Sequence, residues 1–482
     1  MTSLSLLSLL LSIYAVVTGL FLISENRRPQ STLAWMLAFL FAPGIGVVIY
    51  FFFGRHRKAF AKRSRLLRQS FDHRVVPVLS ALQVRQGAAV RRLEAQGPLH
   101  RKLVRLVTQN ALSSLTTRNQ VEILQNASSF YPSLLKDIEE AQHSIHLQFF
   151  IWRVDEFTTQ LKNLLIAKAK EGVKVRLLYD PIGSFFSMSR HYVAKLRAGG
   201  IQMAPTSPIY QLHTISYRNH RKITVIDGRI GYLGGMNMGQ EHLDGGRGYA
   251  GWRDTQIRLE GEAVTVLQTV FMIDWYNATR ESVFSKDYFP TPSLPQTTPD
   301  LPVQILTSGP DSRWEAIRQQ YAQMITAARH HVYIQTPYFI LDTSIAEALS
   351  IAAMSGIDVR VMMGAPGLRD RVPGWAANTF MADVARAGVK VFLYEKGYLH
   401  TKTIAVDSEI CSIGSANLDI RSFSINYELN AVLYNAALTR ELEAAFASDL
   451  DHCRHFDPAA YEARPLLLRF RDSTARLFSP LL

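Results

Sequence analysis

The sequence predicts an α/β protein built as two copies of one lobe, preceded by an N-terminal hairpin of two transmembrane helices. Three observations carry that expectation. A motif occurs twice: His220-Arg221-Lys222-Ile223-Thr224-Val225-Ile226-Asp227 leads to Gly234-Gly235-Met236-Asn237, and His400-Thr401-Lys402-Thr403-Ile404-Ala405-Val406-Asp407 leads to Gly414-Ser415-Ala416-Asn417. Both read H-x-K-x4-D-x6-G-[GS]-x-N, and agreement at so many fixed positions is not a chance event. Apolar strand patterns alternate with helical ones on both sides of a Pro-rich break. Finally, two long uncharged runs open the chain.

In chain order, residues 1–54 hold the uncharged runs. Leu4 to Ser24 carries no charge, and its length spans about one hydrocarbon core as a helix. Thr32 to Gly54 is the second run, with Trp35 and Tyr50 near its ends, where amphipathic rings anchor. Pro43-Gly44-Ile45-Gly46 is expected to kink or break it. A cleaved signal peptide competes for the first run, but a Lys/Arg n-region is missing and a second apolar run follows at once. Arg55, Arg57, Lys58, Lys62, Arg63, Arg65 and Arg68 come next with no acid among them, which places the C-terminal bulk in the cytoplasm and against anionic headgroups. Residues 55–115 read as a basic, helical juxtamembrane connector.

Residues 116–286 form the first expected lobe. Val121–Leu124, Ser144–Ile151 and Val173–Asp180 read as strands, separated by helices over Tyr131–Gln142 and Thr158–Glu171, the pattern of βαβ units and a largely parallel sheet. The Pro-rich stretch 287–302 is the linker. Residues 303–482 repeat the programme: Ala328 to Gln335 matches Ala141 to Gln148, Ser355 to Val361 matches Glu171 to Leu177, and Arg386-Ala387-Gly388 matches Arg197-Ala198-Gly199. His143, His146, His330 and His331 fall within strand patterns and read as structural.

The chain has 482 residues, room for two or three domains, and its apolar content excludes wholesale disorder. A formal charge of +13, from 53 Lys and Arg against 40 Asp and Glu, favours anionic partners: nucleic acid, acidic membrane or phosphate-bearing substrates. The two cysteines, Cys411 and Cys453, do not indicate a disulfide scaffold, and Cys411 reads as a small buried thiol.

Each motif reads as a β-hairpin whose first strand begins with His and Lys, and period-two alternation puts His220 beside Lys222 and His400 beside Lys402 on one face. These residue types suit displacement at phosphorus. Lys222, Lys402 and the amides of Asn237 and Asn417 would bind the non-bridging oxygens and the charge that builds on them. A neutral imidazole is a nucleophile near neutral pH, and a second, protonated one can hand its proton to the departing alkoxide, so the reaction needs both copies. A carboxylate on a following strand would orient each imidazole. Glu428 is the expected partner of His400, and Asp254 of His220. Asp227 and Asp407 complete the motif at turn positions, where they are expected to fix the hairpin. Gly235 and Ser415 let the backbone approach the ligand closely. No metal or other cofactor is expected, because a Lys beside each His repels a cation and no acid or Cys cluster shows ligand spacing.

With its doubled H-x-K-x4-D signature, the sequence resembles the phospholipase D superfamily and, within it, the bacterial cardiolipin synthases. The narrower likeness adds Glu25-Asn26-Arg27-Arg28-Pro29, Trp252-Arg253-Asp254, Ser308-Gly309-Pro310-Asp311-Ser312, Asn426-Tyr427-Glu428-Leu429-Asn430 and the closing Arg476-Leu477-Phe478-Ser479-Pro480-Leu481-Leu482. That resemblance implies two phospholipase D-like α/β sandwich lobes about a pseudo-twofold axis, with one active site at their interface. It implies a phosphatidyl-histidine formed from phosphatidylglycerol, with His220 as nucleophile and His400 as general acid/base, and a second phosphatidylglycerol as acceptor. Gly235 departs from the superfamily pattern, in which Ser is usual; Ser415 keeps it. The expected enzyme is thus a multi-pass protein of the inner membrane that meets anionic lipid and no nucleic acid. A phospholipase D-type hydrolase uses the same residues with water as acceptor. A tethered nuclease fits less well beside Ser184-Phe185-Phe186 and Val372-Pro373-Gly374-Trp375, and a scaffold would not need both motifs complete.

Overall fold

The computed structural model describes residues 3–25, 29–42, 45–50, 82, 84, 86–111, 113–207, 216–246, 248–291, 294–295, 297–365 and 370–481. The basic cluster Arg55 to Arg68 and the Pro43-Gly44 break lie outside them.

Two sheets carry the molecule. In the first lobe the strands are Asn119–Gln125 (β1), Ser144–Phe149 (β2), Lys174–Tyr179 (β3), Gln202–Pro205 (β4), Ile223–Ile226 (β5), Ile230–Gly234 (β6) and Thr255–Gly261 (β7), in the spatial order β1-β7-β6-β5-β2-β3-β4. The second lobe repeats this with Val303–Ser308 (β8), His331–Thr336 (β9), Asp358–Gly364 (β10), Lys390–Tyr394 (β11), Thr403–Val406 (β12), Ile410–Gly414 (β13) and Glu428–Leu433 (β14), in the order β8-β14-β13-β12-β9-β10-β11. The duplication is therefore structural, strand for strand. Only β2-β3-β4 and β9-β10-β11 run parallel, and every other neighbour in these two sets is antiparallel. The expectation of a largely parallel sheet is corrected to a mixed one. The reason is local: each motif is itself a tight hairpin, which can only pair antiparallel.

Each sheet buries one face under helices of its own lobe and the other against its twin. Ile223, Val225, Ile257 and Leu259 of the first sheet share a cluster with Ile305, Ile413, Ala431 and Leu433 of the second. The connector does not stand apart. Helix Pro98–Asn110 buries Leu99, Leu103, Val104 and Val107 in the second lobe's core, and Leu115–Thr116 adds an edge strand to β8.

At the N-terminus, α1 spans Ser3–Ser24, α2 Pro29–Phe41 and α3 Ile45–Ile49. They gather Leu22, Phe39 and Tyr50 into a small aromatic core. Among the described residues no helix is long and apolar enough to cross a membrane. The side chains of 3–11 in α1 lie outside the described residues. The second uncharged run is divided, and the 13 residues of α2 reach only about 20 Å, short of a hydrocarbon core. The expected two-span hairpin is not what these helices show.

Candidate active site

The site is made where the lobes touch. Just before β5, His220 donates its backbone N–H to the carbonyl of Tyr427, and Tyr427 N–H returns to Arg218 (2.9 and 2.8 Å). Just before β12, His400 N–H donates to Arg253, and Tyr398 N–H to Gly251 (2.7 and 2.8 Å). Two short parallel bridges thus stitch the lobes, Asn219 beside Tyr427 and Tyr398–Leu399 beside Trp252–Arg253. Each bridge lays the histidine of one lobe next to the carboxylate of the other.

The side chains follow. His220 Nδ1 is bound to Glu428 (3.0 Å to Oε1, 3.1 Å to Oε2), and His400 Nδ1 to Asp254 Oδ2 (2.7 Å). The expected pairing within each lobe is therefore corrected to a pairing across the interface. With Nδ1 committed to a carboxylate, Nε2 of each ring is left for the cleft that both histidines line, which also takes in Asn237 and Asn417 and measures about 410 Å³.

Lys222 and Lys402 are buried, at 0% and 1% exposure, and do not line the cleft. Lys222 Nζ donates to the carbonyl of His220 (2.6 Å), and Lys402 Nζ to that of His400. The expected direct clamp on phosphate is corrected: each ammonium is turned onto the backbone of its own motif histidine. Burial pushes both ammoniums down, Lys402 to about 8. Asn237 spends its Oδ1 on Ile151 N–H (3.1 Å), whereas Asn417 spends its Nδ2 on Asp419 (3.1 Å).

Ser415 and Gly235 do not touch the cleft either; they manage the carboxylates. The Ser415 hydroxyl donates to Glu428 Oε2. In the other half, a Cβ on Gly235 would collide with the Asp254 carboxylate. Their expected closeness to substrate is corrected to a role one layer back. Asp227 and Asp407 sit at left-handed turn positions, each φ +53°, and their carboxylates accept three backbone N–H bonds apiece, from Gln142, His143 and Ser144 and from Arg329, His330 and His331. They lie at the far end of the motif hairpins, where these bonds tie each turn to the start of β2 or β9.

The two halves differ electrostatically. Burial lowers His220, but Glu428 opposes it. Burial drives His400 well below the usual imidazole range, reinforced by Lys402, Lys222 and His220. Burial raises Asp254, whereas at Glu428 burial is outweighed by His220, Lys222 and Ser415 and the carboxyl is lowered. Sequence reasoning missed His242, buried 6.2 Å from the His400 ring and lowered by burial to about 3. Its counterpart in the second motif is Ser422, so comparison of the repeats passes over it. It also missed Glu241 and Arg421, which face the cleft from equivalent positions with opposite charge. That inversion was legible in the aligned repeats.

A duplicated lobe with two histidines sharing one cleft defines a phospholipase D-like enzyme. The family model described as "Cardiolipin synthase, PLD-like domain" matches residues 134–249 and 321–450, and one described as "Phospholipase_D-nuclease N-terminal" matches residues 10–55. Cardiolipin synthase of Geobacillus kaustophilus is 39% identical over 99% of this chain and 94% of the relative, and that of Oceanobacillus iheyensis 38% identical over 99% and 98%. The crystal structure of phosphatidylserine synthase from Haemophilus influenzae, at 14% identity, superposes with a TM-score of 0.62 over 79% of this chain and all of that one, a likeness of fold. The chain belongs to the cardiolipin synthase family.

Proposed function

We propose that this enzyme makes cardiolipin by transferring the phosphatidyl group of one phosphatidylglycerol to the headgroup hydroxyl of a second, with release of glycerol. The observation that carries the reading is the pair of imidazoles in one cleft, each with Nδ1 fixed on a carboxylate of the opposite lobe. One Nε2 lone pair attacks phosphorus and the bond from phosphorus to the glycerol oxygen breaks. The second imidazole, protonated, gives its proton to that oxygen. A P–N bond now holds the phosphatidyl group. The second imidazole, now neutral, takes the proton of the incoming hydroxyl, whose oxygen attacks phosphorus as the P–N bond breaks. Lys222 and Lys402, from below, stabilise the charge on the non-bridging oxygens. One phosphodiester replaces another, so no energy source enters the balance.

The family resemblance gives His220 as nucleophile and His400 as acid/base. The exchange of these roles has electrostatic support: burial, Lys402, Lys222 and His220 together push His400 well below the usual imidazole range, whereas Glu428 opposes the lowering of His220. Acid-quenching a single turnover and mapping the phosphatidylated peptide decides between the two. The reaction itself is tested with purified protein and labelled phosphatidylglycerol in detergent. Cardiolipin with glycerol is expected; phosphatidic acid alone would mean that water is the acceptor and the enzyme a hydrolase.

The N-terminal helices support membrane association. Val16, Val17, Leu20, Leu33, Leu37, Leu40 and Phe41 are all more than half exposed around their small aromatic core. We place them in the cell membrane, with the lobes on the cytoplasmic side by the basic residues that follow.

A further inference from the structure

The C-terminal helix Leu466–Leu477 (α4) is built inside out. Its Leu466, Leu467, Phe470 and Leu477 are 68–79% exposed, whereas its Asp472 is 0% exposed. Asp472 is held inward by Asn378 (2.9 Å), Arg464 (3.1 Å) and Arg471 (2.7 Å). A helix on a solvated surface has the reverse polarity. The orientation is thus pinned by specific ion pairs.

The exposed face is not isolated. Between this helix and Arg371–Arg386 runs an apolar trough of about 570 Å³, lined by Val372, Trp375, Leu467, Phe470 and Phe478 among others. Next to Val372, Pro373 lines the catalytic cleft, and so does Leu481 beyond the helix. In the first lobe the loop after β3, the repeat equivalent of the loop after β10, shows Phe185 and Phe186 at 56% and 94% exposure, next to Ser184, whose hydroxyl donates to the carbonyl of the cleft-lining Phe150 (3.1 Å). The helix itself carries three arginines and one aspartate; Arg471 and Arg476 are ion-paired with Asp472 and Asp383, and Arg469 donates to the backbone carbonyl of Glu462. Arginines beside an outward apolar face are what an interfacial helix on anionic lipid requires.

We propose that this face docks the catalytic lobes onto a leaflet of anionic phospholipid, with the trough taking an acyl chain of the lipid whose headgroup enters the cleft. In this arrangement Phe185 and Phe186, on the equivalent loop of the first lobe, enter the same leaflet. The proposal rests on the reading that the substrate is a phospholipid, and it names which surface meets that substrate.

The test uses the full chain in phosphatidylglycerol vesicles. A fluorophore on Phe470→Cys, in a Cys453→Ser background, is compared with one on Gln142→Cys, at the N-terminal end of β2. Brominated acyl chains are expected to quench the first and spare the second; equal quenching overturns the proposal. Faster disulfide cross-linking between Phe470→Cys chains than between Gln142→Cys chains would assign the face to a second copy instead and also overturn it. In the double variant Leu467→Asp with Phe470→Asp, kcat/KM is expected to fall about tenfold or more on long-chain phosphatidylglycerol in vesicles and to hold on the dihexanoyl lipid in solution. Equal loss on both would mean general damage and count against docking. Quenching is independent of turnover, so quenching of the Phe470→Cys label together with no cardiolipin from the wild-type enzyme would refute the reaction and leave the docking face standing.

Discussion

At the scale of single residues, the site depends on which carboxylate holds which imidazole. Glu428 and Asp254 are both 0% exposed, and each fixes the tautomer of a histidine from the other lobe. Glu428→Gln and Asp254→Asn are each expected to lower kcat by about 10²-fold or more with little change in KM, the usual cost of losing an orienting partner. The crossing itself is checked by nitrogen NMR of histidine-labelled protein. Glu428→Gln should move the His220 resonances and leave those of His400; the reverse pattern would restore pairing within the lobe. Gly235→Ala should behave like a milder Asp254→Asn, because the added methyl occupies the space of that carboxylate. Ser415→Ala, by contrast, removes a hydrogen bond from Glu428 without crowding it, and a loss of about tenfold is expected.

At the scale of elements, the motif hairpins are held by their turns. Asp407 pins the start of β9 through three backbone N–H groups and occupies a left-handed conformation that costs most side chains energy. Asp407→Ala is expected to lower unfolding free energy by about 2 kcal/mol, since the bonds are charge-assisted but only partly buried. Urea unfolding measures this, and the folded fraction should keep near-normal kcat because Asp407 is remote from the cleft. Both hairpins were legible in the sequence, since fixed spacing from His to Asp to the glycine dictates strand, turn and strand. The crossed carboxylates were not. Within either repeat Glu428 and Asp254 follow their own histidine, and only the interlobe bridges at Tyr427 and Arg253 show that each strand serves its neighbour. The sheet's mixed direction was missed because alternating strand and helix suggests crossovers, while the inserted hairpin reverses the chain without one. The second N-terminal run looked like a span because hydropathy reports composition, not where a helix ends.

At the scale of the whole molecule, two like lobes bring their like charges into one buried place. Burial depresses both Lys222 and Lys402, and Lys402 depresses Lys222 further. The consequence for pH has opposite signs for activity and for stability. Lys402 loses its proton near about 8 in the folded protein, whereas an unfolded lysine keeps it to about 10.4. Below both values the lysine is protonated in either state and its burial is a standing cost. Between them the unfolded chain binds more protons than the folded one, so the unfolding free energy must rise with pH across that window. Activity should do the reverse. Once Lys402 is neutral, the charge beneath the phosphate is diminished, and kcat/KM is expected to fall by up to about tenfold per pH unit above about 8. Urea unfolding and kcat/KM, both measured from pH 7 to pH 9.5, make the comparison. In Lys402→Met the rise in stability should shrink, because the group that links it to pH is gone. Stability and activity that both stay flat through this range would show that the lysines enter the folded state with ordinary proton affinity.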